Sequence, residues 1–194
     1  TQLDNSNSDN FKDNLKIINS QIKQIEKLVN EFSDFARMPK PIFKQNNLIE
    51  IINDNVKLLK ELDTSIDIKF IKSSNQVLLK SDREQISRVF LNLIKNSIES
   101  INQKGEKSNN FNKKITIELS QTDIQITITI EDNGIGFGQL KKNVKEILNP
   151  YFTTKKNGTG LGLSIVNKIV NDHNGKIDFM SIKNGAKIKI EFIK

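Results

Sequence analysis

Apolar residues at Phe11, Leu15, Ile18, Ile22, Ile25, Val29, Phe32 and Ala36 follow one another at alternating steps of four and three, and the run ends at Pro39. A repeat of about 3.5 residues sustained this long describes a helix packed lengthwise against partner helices, because a single helix cannot bury such a seam on its own. Pro39 disfavours helical geometry at Met38 and Pro41 reinforces the break. The chain therefore divides into a polar lead over residues 1–9 expected to be disordered or fraying, a seamed helix over 10–38, a linker over 39–41 and a globular part over 42–194. Self-association through residues 10–38 fits this regularity better than docking of the helix on a sheet.

Beyond the linker the periods alternate. Leu48 to Leu62 reads as an amphipathic helix, Ile66 to Ile71 and Val77 to Lys80 as strands, and Asp82 to Ile101 as a long helix with Asp82 at its N-cap. A polar loop is expected from Asn102 to Asn112. Lys114 to Leu119 and Ile124 to Glu131 alternate apolar with polar residues and should pair antiparallel around Gln121 to Asp123. An irregular stretch from Gly136 to Gly160 leads to a helix over Leu161 to Val170. Lys176 to Met180 and Ala186 to Phe192 form a last hairpin turning at Asn184 and Gly185. One layer of helices over one mixed sheet accounts for this order, an α+β sandwich.

Several classes are excluded on composition. With no cysteine there is no disulfide, thiolate metal site or cysteine nucleophile. The net charge is +7 and the pI about 9.4, yet the basic residues are dispersed among acidic ones, and there is one Tyr and no Trp for base stacking. A solvated surface that favours a polyphosphate ligand is the better reading than nucleic acid. No apolar run approaches the ~18 residues needed to span a bilayer. The chain begins at Thr1 and not at Met, so it is expected to be part of something longer.

Four short motifs carry chemistry. NLIKN, Asn92 to Asn96, places two amides one helical turn apart, with Glu99 further along the same border of a core-facing arc made by Ile86, Val89, Phe90, Leu93, Ile94, Ser97 and Ile101. Each amide offers an oxygen to a hard cation and an NH2 group to a phosphate; ordinary surface asparagines are the alternative. DNGIG, Asp132 to Gly136, sets a carboxylate at a strand end beside Gly134 and Gly136, which allow close backbone approach to a ligand. Such a carboxylate accepts a hydrogen bond from the exocyclic amine of adenine, where guanine presents a carbonyl. GTGLG, Gly158 to Gly162, leads into a helix whose first N–H groups suit an anion, although it matches neither the Walker nor the Rossmann spacing. Between these, NPYFTTK, Asn149 to Lys155, belongs to a stretch with Lys141, Lys142, Lys145, Lys155 and Lys156, which reads as a basic flap over phosphates or as solvated loop lysines.

In this order the four motifs resemble the N, G1, F and G2 boxes of the histidine-kinase branch of the GHKL ATPase superfamily, which also contains gyrase B, Hsp90 and MutL. The resemblance covers about residues 42–194, and EFSDFARMPKP, Glu31 to Pro41, is similar to the end of the dimerisation domain in nitrogen-regulation sensor kinases of the NtrY type. It implies the GHKL (Bergerat) fold, with about three helices on one face of a mixed sheet, and it implies ATP with Mg²⁺. By the same resemblance Asn96 is the Mg²⁺ ligand, Asn92 lies near the γ-phosphate and Asp132 recognises adenine with Gly134 and Gly136 shaping that wall. Lys155 reaches phosphate, Tyr151 and Phe152 anchor the lid, and Gly158, Gly160, Leu161 and Gly162 wrap the polyphosphate. Where ATP-hydrolysing members carry a glutamate that activates water, this chain has Asn92, which argues for transfer to a protein acceptor.

Kinases of this kind phosphorylate a histidine on the first helix of the dimerisation hairpin, and no such helix occurs in these residues. His173 is the only histidine; it lies between the last helix and the final hairpin and is expected to pack or cap, not to accept phosphate. The implied function is the ATP-binding half of a sensor histidine kinase, with the acceptor histidine outside this chain, a response regulator as partner and a bacterial inner-membrane parent whose cytoplasmic portion this is. A GHKL ATPase and a nucleotide-sensing dimerisation module are the alternatives.

Overall fold

The computed structural model describes residues 2–105, 111–137, 144–155 and 158–194. Helix α1 runs over Gln2–Ala36. It starts well before the expected seam, since residues 2–9 contain neither Gly nor Pro to break it. Most of its seam has no cover within the chain: Phe11, Ile18, Ile22, Ile25 and Val29 are all more than half exposed. Its last turns behave differently, because Phe35 and the following Met38 pack against the domain core.

A short strand not foreseen from the sequence comes next, β1 (Lys44–Asn47), followed by α2 (Leu48–Leu62), β2 (Asp67–Lys72), β3 (Leu78–Ser81) and α3 (Arg83–Gly105). Then come β4 (Lys114–Gln121), β5 (Gln125–Asp132), a 3-10 turn at Val144–Leu148, α4 (Gly162–Asp172), β6 (Gly175–Ile182) and β7 (Gly185–Ile193). The main sheet has the order β2-β4-β5-β7-β6. Only β2 and β4 run parallel in it, so the sheet is mixed. The single-sheet expectation needs one correction: β3 pairs antiparallel with β1 in a separate two-stranded sheet. Here the Asn46 side chain donates to the Ser81 carbonyl (2.7 Å) and Asn47 caps α2 through the Ile49 N–H. Helix α3 also passes its expected end at Ile101 and continues to Gly105.

Period and burial agree in the central strands. In β5, Ile126, Ile128 and Ile130 alternate inward, and α2, α3 and α4 cover that face of the sheet with Ile51, Ile52, Phe90, Leu93, Ile94, Val166 and Ile169, all nearly inaccessible. The opposite face carries paired charges such as Lys187 with Glu131 and Lys189 with Glu191.

Asp82 anchors the junction. Its carboxylate accepts from the N–H groups of Glu84 and Gln85, capping α3, and from Ile42 N–H in the linker (2.8 Å). Its own N–H donates to His173 Nε2 (3.0 Å), which leaves Nδ1–H of that ring to donate to the Ile169 carbonyl (2.8 Å). His173 is thus a buried, doubly bonded structural residue with Phe43 edge-on to its ring. Burial by itself would raise the Asp82 carboxyl, but the N–H donors of Ile42, Gln85 and Glu84 outweigh it and hold the group below its ordinary value. A carboxyl lowered in the folded state stabilises above its unfolded value, and that stability is lost as pH falls through the folded one. The cost of Asp82→Ala therefore shrinks on acidification. His173→Ala, which strands the Asp82 N–H, should cost about 1–3 kcal/mol in urea unfolding; an unchanged midpoint would show that the contact carries nothing.

Candidate nucleotide site

Strand alternation decides the position of the central carboxylate. Asp132 continues the inward phase of Ile126, Ile128 and Ile130, so β5 delivers a charged group to the core face, where it is only 5% exposed. Its Oδ1 accepts from Gly134 N–H (2.9 Å) and its Oδ2 from Ser97 Oγ (3.2 Å). A carboxylate has about four acceptor positions, so lone-pair capacity is left for another donor. Burial raises the carboxyl above its ordinary value, partly offset by the N–H of Gly134, the Ser97 hydroxyl, the Ala186 N–H and the positive charge of Lys104.

The turn after Asp132 is pressed onto α3. A Cβ at Gly134 would lie 2.3 Å from Ser100 Oγ and 2.6 Å from the Ser100 carbonyl carbon. Ile135 N–H bonds to the Ser100 carbonyl and hydroxyl, and Lys104 Nζ donates to the Asn133 carbonyl (2.7 Å). Gly136 sits against Gly185 of the β6–β7 turn.

Just N-terminal to Ser97, α3 presents the two amides, Asn92 and Asn96, one helical turn apart. Asn92 Nδ2 is committed to the Arg88 carbonyl (2.9 Å), and its Oδ1 faces Gly162 at the start of α4, where a Cβ would come within 3.2 Å. Asn96 Oδ1 accepts from Lys155 Nζ at 3.0 Å, and the same ammonium bonds to the Glu99 carboxylate. Leu161 is fully buried and brings no side-chain cap, so among the described residues the first-turn N–H groups of α4 are left without a capping side chain.

The segment between is tied at its base. Tyr151 N–H donates to the Gly160 carbonyl (3.1 Å), Phe152 N–H to Asn149, and Gly158 N–H to Lys155. Gly160 has φ +72°, and a Cβ there would meet the Tyr151 carbonyl carbon at 2.4 Å, which no other residue tolerates. Helix α1 reaches this segment: Thr159 Oγ1 donates to Glu31, and the Phe32 and Tyr151 rings stack at 6.5 Å. Of the proposed basic flap, Lys141, Lys142 and Lys156 lie outside the described residues, as does the side chain of Lys145.

The structure brings Asn92 to Gly162, Asn96 to Lys155, and Asp132 to Ser97, all along one stretch of α3. Asn92 and Asp132 nevertheless line different depressions. Asn92 and Glu99 border a groove of about 610 Å³ between α2 and α3, whereas Asp132 borders one of about 380 Å³ at the β6–β7 turn. Neither of these two depressions is lined by all three of Asn92, Asn96 and Asp132, and residues 138–143 lie outside the described ones. Ser97, Glu99 and Thr159 take part in these contacts without a role having been read from the sequence. The sequence places Ser97 only on the core-facing arc of α3; a buried hydroxyl needs a partner, which is the one signal there for a role. Among the described residues no three His, Cys, Asp or Glu side chains gather as a metal site, and no helix is long and apolar enough to cross a membrane.

Residues 81–194 match the family model of histidine kinase-, DNA gyrase B- and HSP90-like ATPases. The NtrY-like sensor histidine kinase of Rickettsia bellii is 37% identical over 94% of this chain, and nitrogen regulation protein NtrY of Azorhizobium caulinodans 33% identical over 85%. The chain spans 29% and 21% of the length of these two relatives. Among solved structures, the catalytic domain of histidine kinase ThkA superposes with a TM-score of 0.67 at 32% identity, covering 79% of this chain and 96% of that one. ThkA in complex with response regulator protein TrrA gives 0.71 at 26% identity, over 92% of this chain and 49% of that one. With the mixed sheet, its three covering helices and the motif order in agreement, the chain belongs to the histidine kinase-, DNA gyrase B- and HSP90-like ATPase family, as the catalytic domain of a sensor histidine kinase of the NtrY type.

Proposed function

We propose that this domain binds ATP with Mg²⁺ and presents the γ-phosphate to a histidine outside the chain, for relay to a response regulator. The observation that carries the reading is the buried Asp132 carboxylate, tied through Ser97 to the helix that bears Asn92 and Asn96. Asp132 accepts from the adenine amine, with Gly134 and Gly136 forming the adjoining wall. Gly158, Gly160, Leu161 and Gly162 surround the phosphates at the entry to α4, whose first-turn backbone N–H groups face them, and Tyr151 and Phe152 hold the base of the lid. Lys155 supplies positive charge.

The oxygen donors fit a hard cation, since Asn96 Oδ1 and the Glu99 carboxylate already hold an ammonium group. Asn96 would hold magnesium, which when bound neutralises phosphate charge and fixes its geometry. Asn92 has no proton-accepting carboxylate, and its NH2 group is engaged with Arg88, so it does not activate water. Transfer then rests on positioning and charge neutralisation, with the acceptor imidazole as nucleophile. The response regulator seated on ThkA supports a partner of that class here. The exposed seam of α1 supports a homodimer through residues 10–38; a membrane-bound parent with this portion on the cytoplasmic side follows from the family resemblance alone.

Calorimetric titration with a non-hydrolysable ATP analogue, with and without magnesium, tests the assignment. Asn96→Ala should retain nucleotide binding and lose its dependence on magnesium. An unaltered magnesium response in that variant would remove Asn96 from the site. A reading as an ATPase predicts magnesium-dependent hydrolysis by the isolated chain, which the amide at Asn92 argues against.

A further inference from the structure

Glu99 lies on the same border of α3 as Asn92 and Asn96 and is given no role of its own in the function proposed above beyond showing that this point holds a cation. It is three residues beyond Asn96, close to one helical turn, so both side chains reach the same point above the helix. At that point sits the ammonium of Lys155, bonded to Asn96 Oδ1 at 3.0 Å and to the Glu99 carboxylate. Lys155 comes from the segment between Asn149 and Gly160, whose base is closed by the Tyr151–Gly160 bond. The ion pair is neither buried nor fully solvated, with side chains 40% and 43% exposed.

We infer that Glu99 is a parking carboxylate: it holds Lys155 on the Asn96 oxygen, so that loading of the metal–nucleotide complex exchanges the ammonium for the divalent cation. This rests on the assignment of Asn96 and Lys155 above. Asn96 Oδ1 cannot serve Lys155 and a metal at full strength together, because two cations on one amide oxygen repel. Lys155 must leave for the metal to enter, and its flexible stem lets the ammonium move to the phosphates. Glu99 sets the balance, since its charge makes the parked position competitive. The chain thereby supplies its own counter-cation to an acidic and amide-rich helix border and gives it up when the ligand brings another.

The test measures affinity for a non-hydrolysable ATP analogue across a magnesium series in the parent chain, Glu99→Gln and Lys155→Met. Glu99→Gln frees Lys155 and should tighten binding in magnesium roughly two- to fivefold, the range for an exposed ion pair, with half-saturation at lower magnesium. Lys155→Met should cancel that gain, so that the double variant binds like Lys155→Met alone. Weaker binding with a higher magnesium requirement in Glu99→Gln would make Glu99 a metal ligand and overturn the inference. An unchanged curve would overturn it as well. Asp132→Ala, titrated in parallel, separates the two levels of argument: if it binds like the parent, the site assignment fails and the inference with it.

Discussion

Replacing Asp132 with asparagine should weaken adenine-nucleotide binding by about two orders of magnitude while leaving the fold as stable as before or more so. A hydrogen bond to an ionised partner contributes about 1.5–3 kcal/mol, and the new NH2 group would face the adenine amine donor to donor. The native contacts survive better than the ligand contact. Gly134 N–H keeps an oxygen acceptor, and the Ser97 hydroxyl can turn from donor to acceptor. The stability side follows from burial, which raises this carboxyl and lets the folded protein hold the proton to higher pH than the unfolded chain does. The parent therefore loses stability as pH rises from the unfolded value through the folded one, and above the folded value it bears the whole cost of a buried charge. Thermal melts should show the asparagine variant at or above the parent at neutral pH, with the difference closing in acid. Guanine nucleotide should bind weakly to the parent, whose carboxylate would face the guanine carbonyl acceptor to acceptor. A variant that melts well below the parent at neutral pH would make Asp132 a structural residue first.

Gly134→Ala should have the opposite profile, damaging stability and site together. The added methyl would lie 2.6 Å from a backbone carbon of Ser100 and 2.3 Å from its hydroxyl. The side chain can be removed, but the backbone of α3 cannot move without disturbing Ser97 and Ile101, both buried. Overpacking of this kind costs about 1–3 kcal/mol, and the Ile135 and Lys104 bonds that hold the turn would strain with it. The expected result is a lower urea midpoint and loss of nucleotide binding, with no rescue from Ser100→Ala. Recovery in that double variant would place the conflict in the hydroxyl alone.

How far the sequence led depended on whether a feature was local. Helix α2 appears with the bounds read from its period, and β4 with β5 form the expected hairpin, because alternation and capping are written in neighbouring residues. Strand β1 was illegible, since Lys44, Gln45, Asn46 and Asn47 show no alternation and the strand exists through its pairing with β3. The last turn of α3 was missed for a related reason. Asn102 and Lys104 look like loop residues, yet they bond to Asp63, Lys113 and the Asn133 carbonyl, contacts made across the fold. In the site, Asp132, Gly134 and the two amides were readable as motif and period. The pairing of Ser97 with Asp132 and of Glu99 with Lys155 was not, because each joins elements set side by side only by folding.

The junction at Asp82 has a mechanical consequence. Ile42 N–H is held by Asp82, and the Pro39 carbonyl accepts from Gln85 Nε2 at 3.0 Å, so the two prolines are stapled on either side to the first turn of α3. A joint fastened at two points cannot swivel freely. Torque applied along α1 passes the prolines and arrives at the base of α3, the same rod that, farther along, carries Asn92, Asn96 and Ser97.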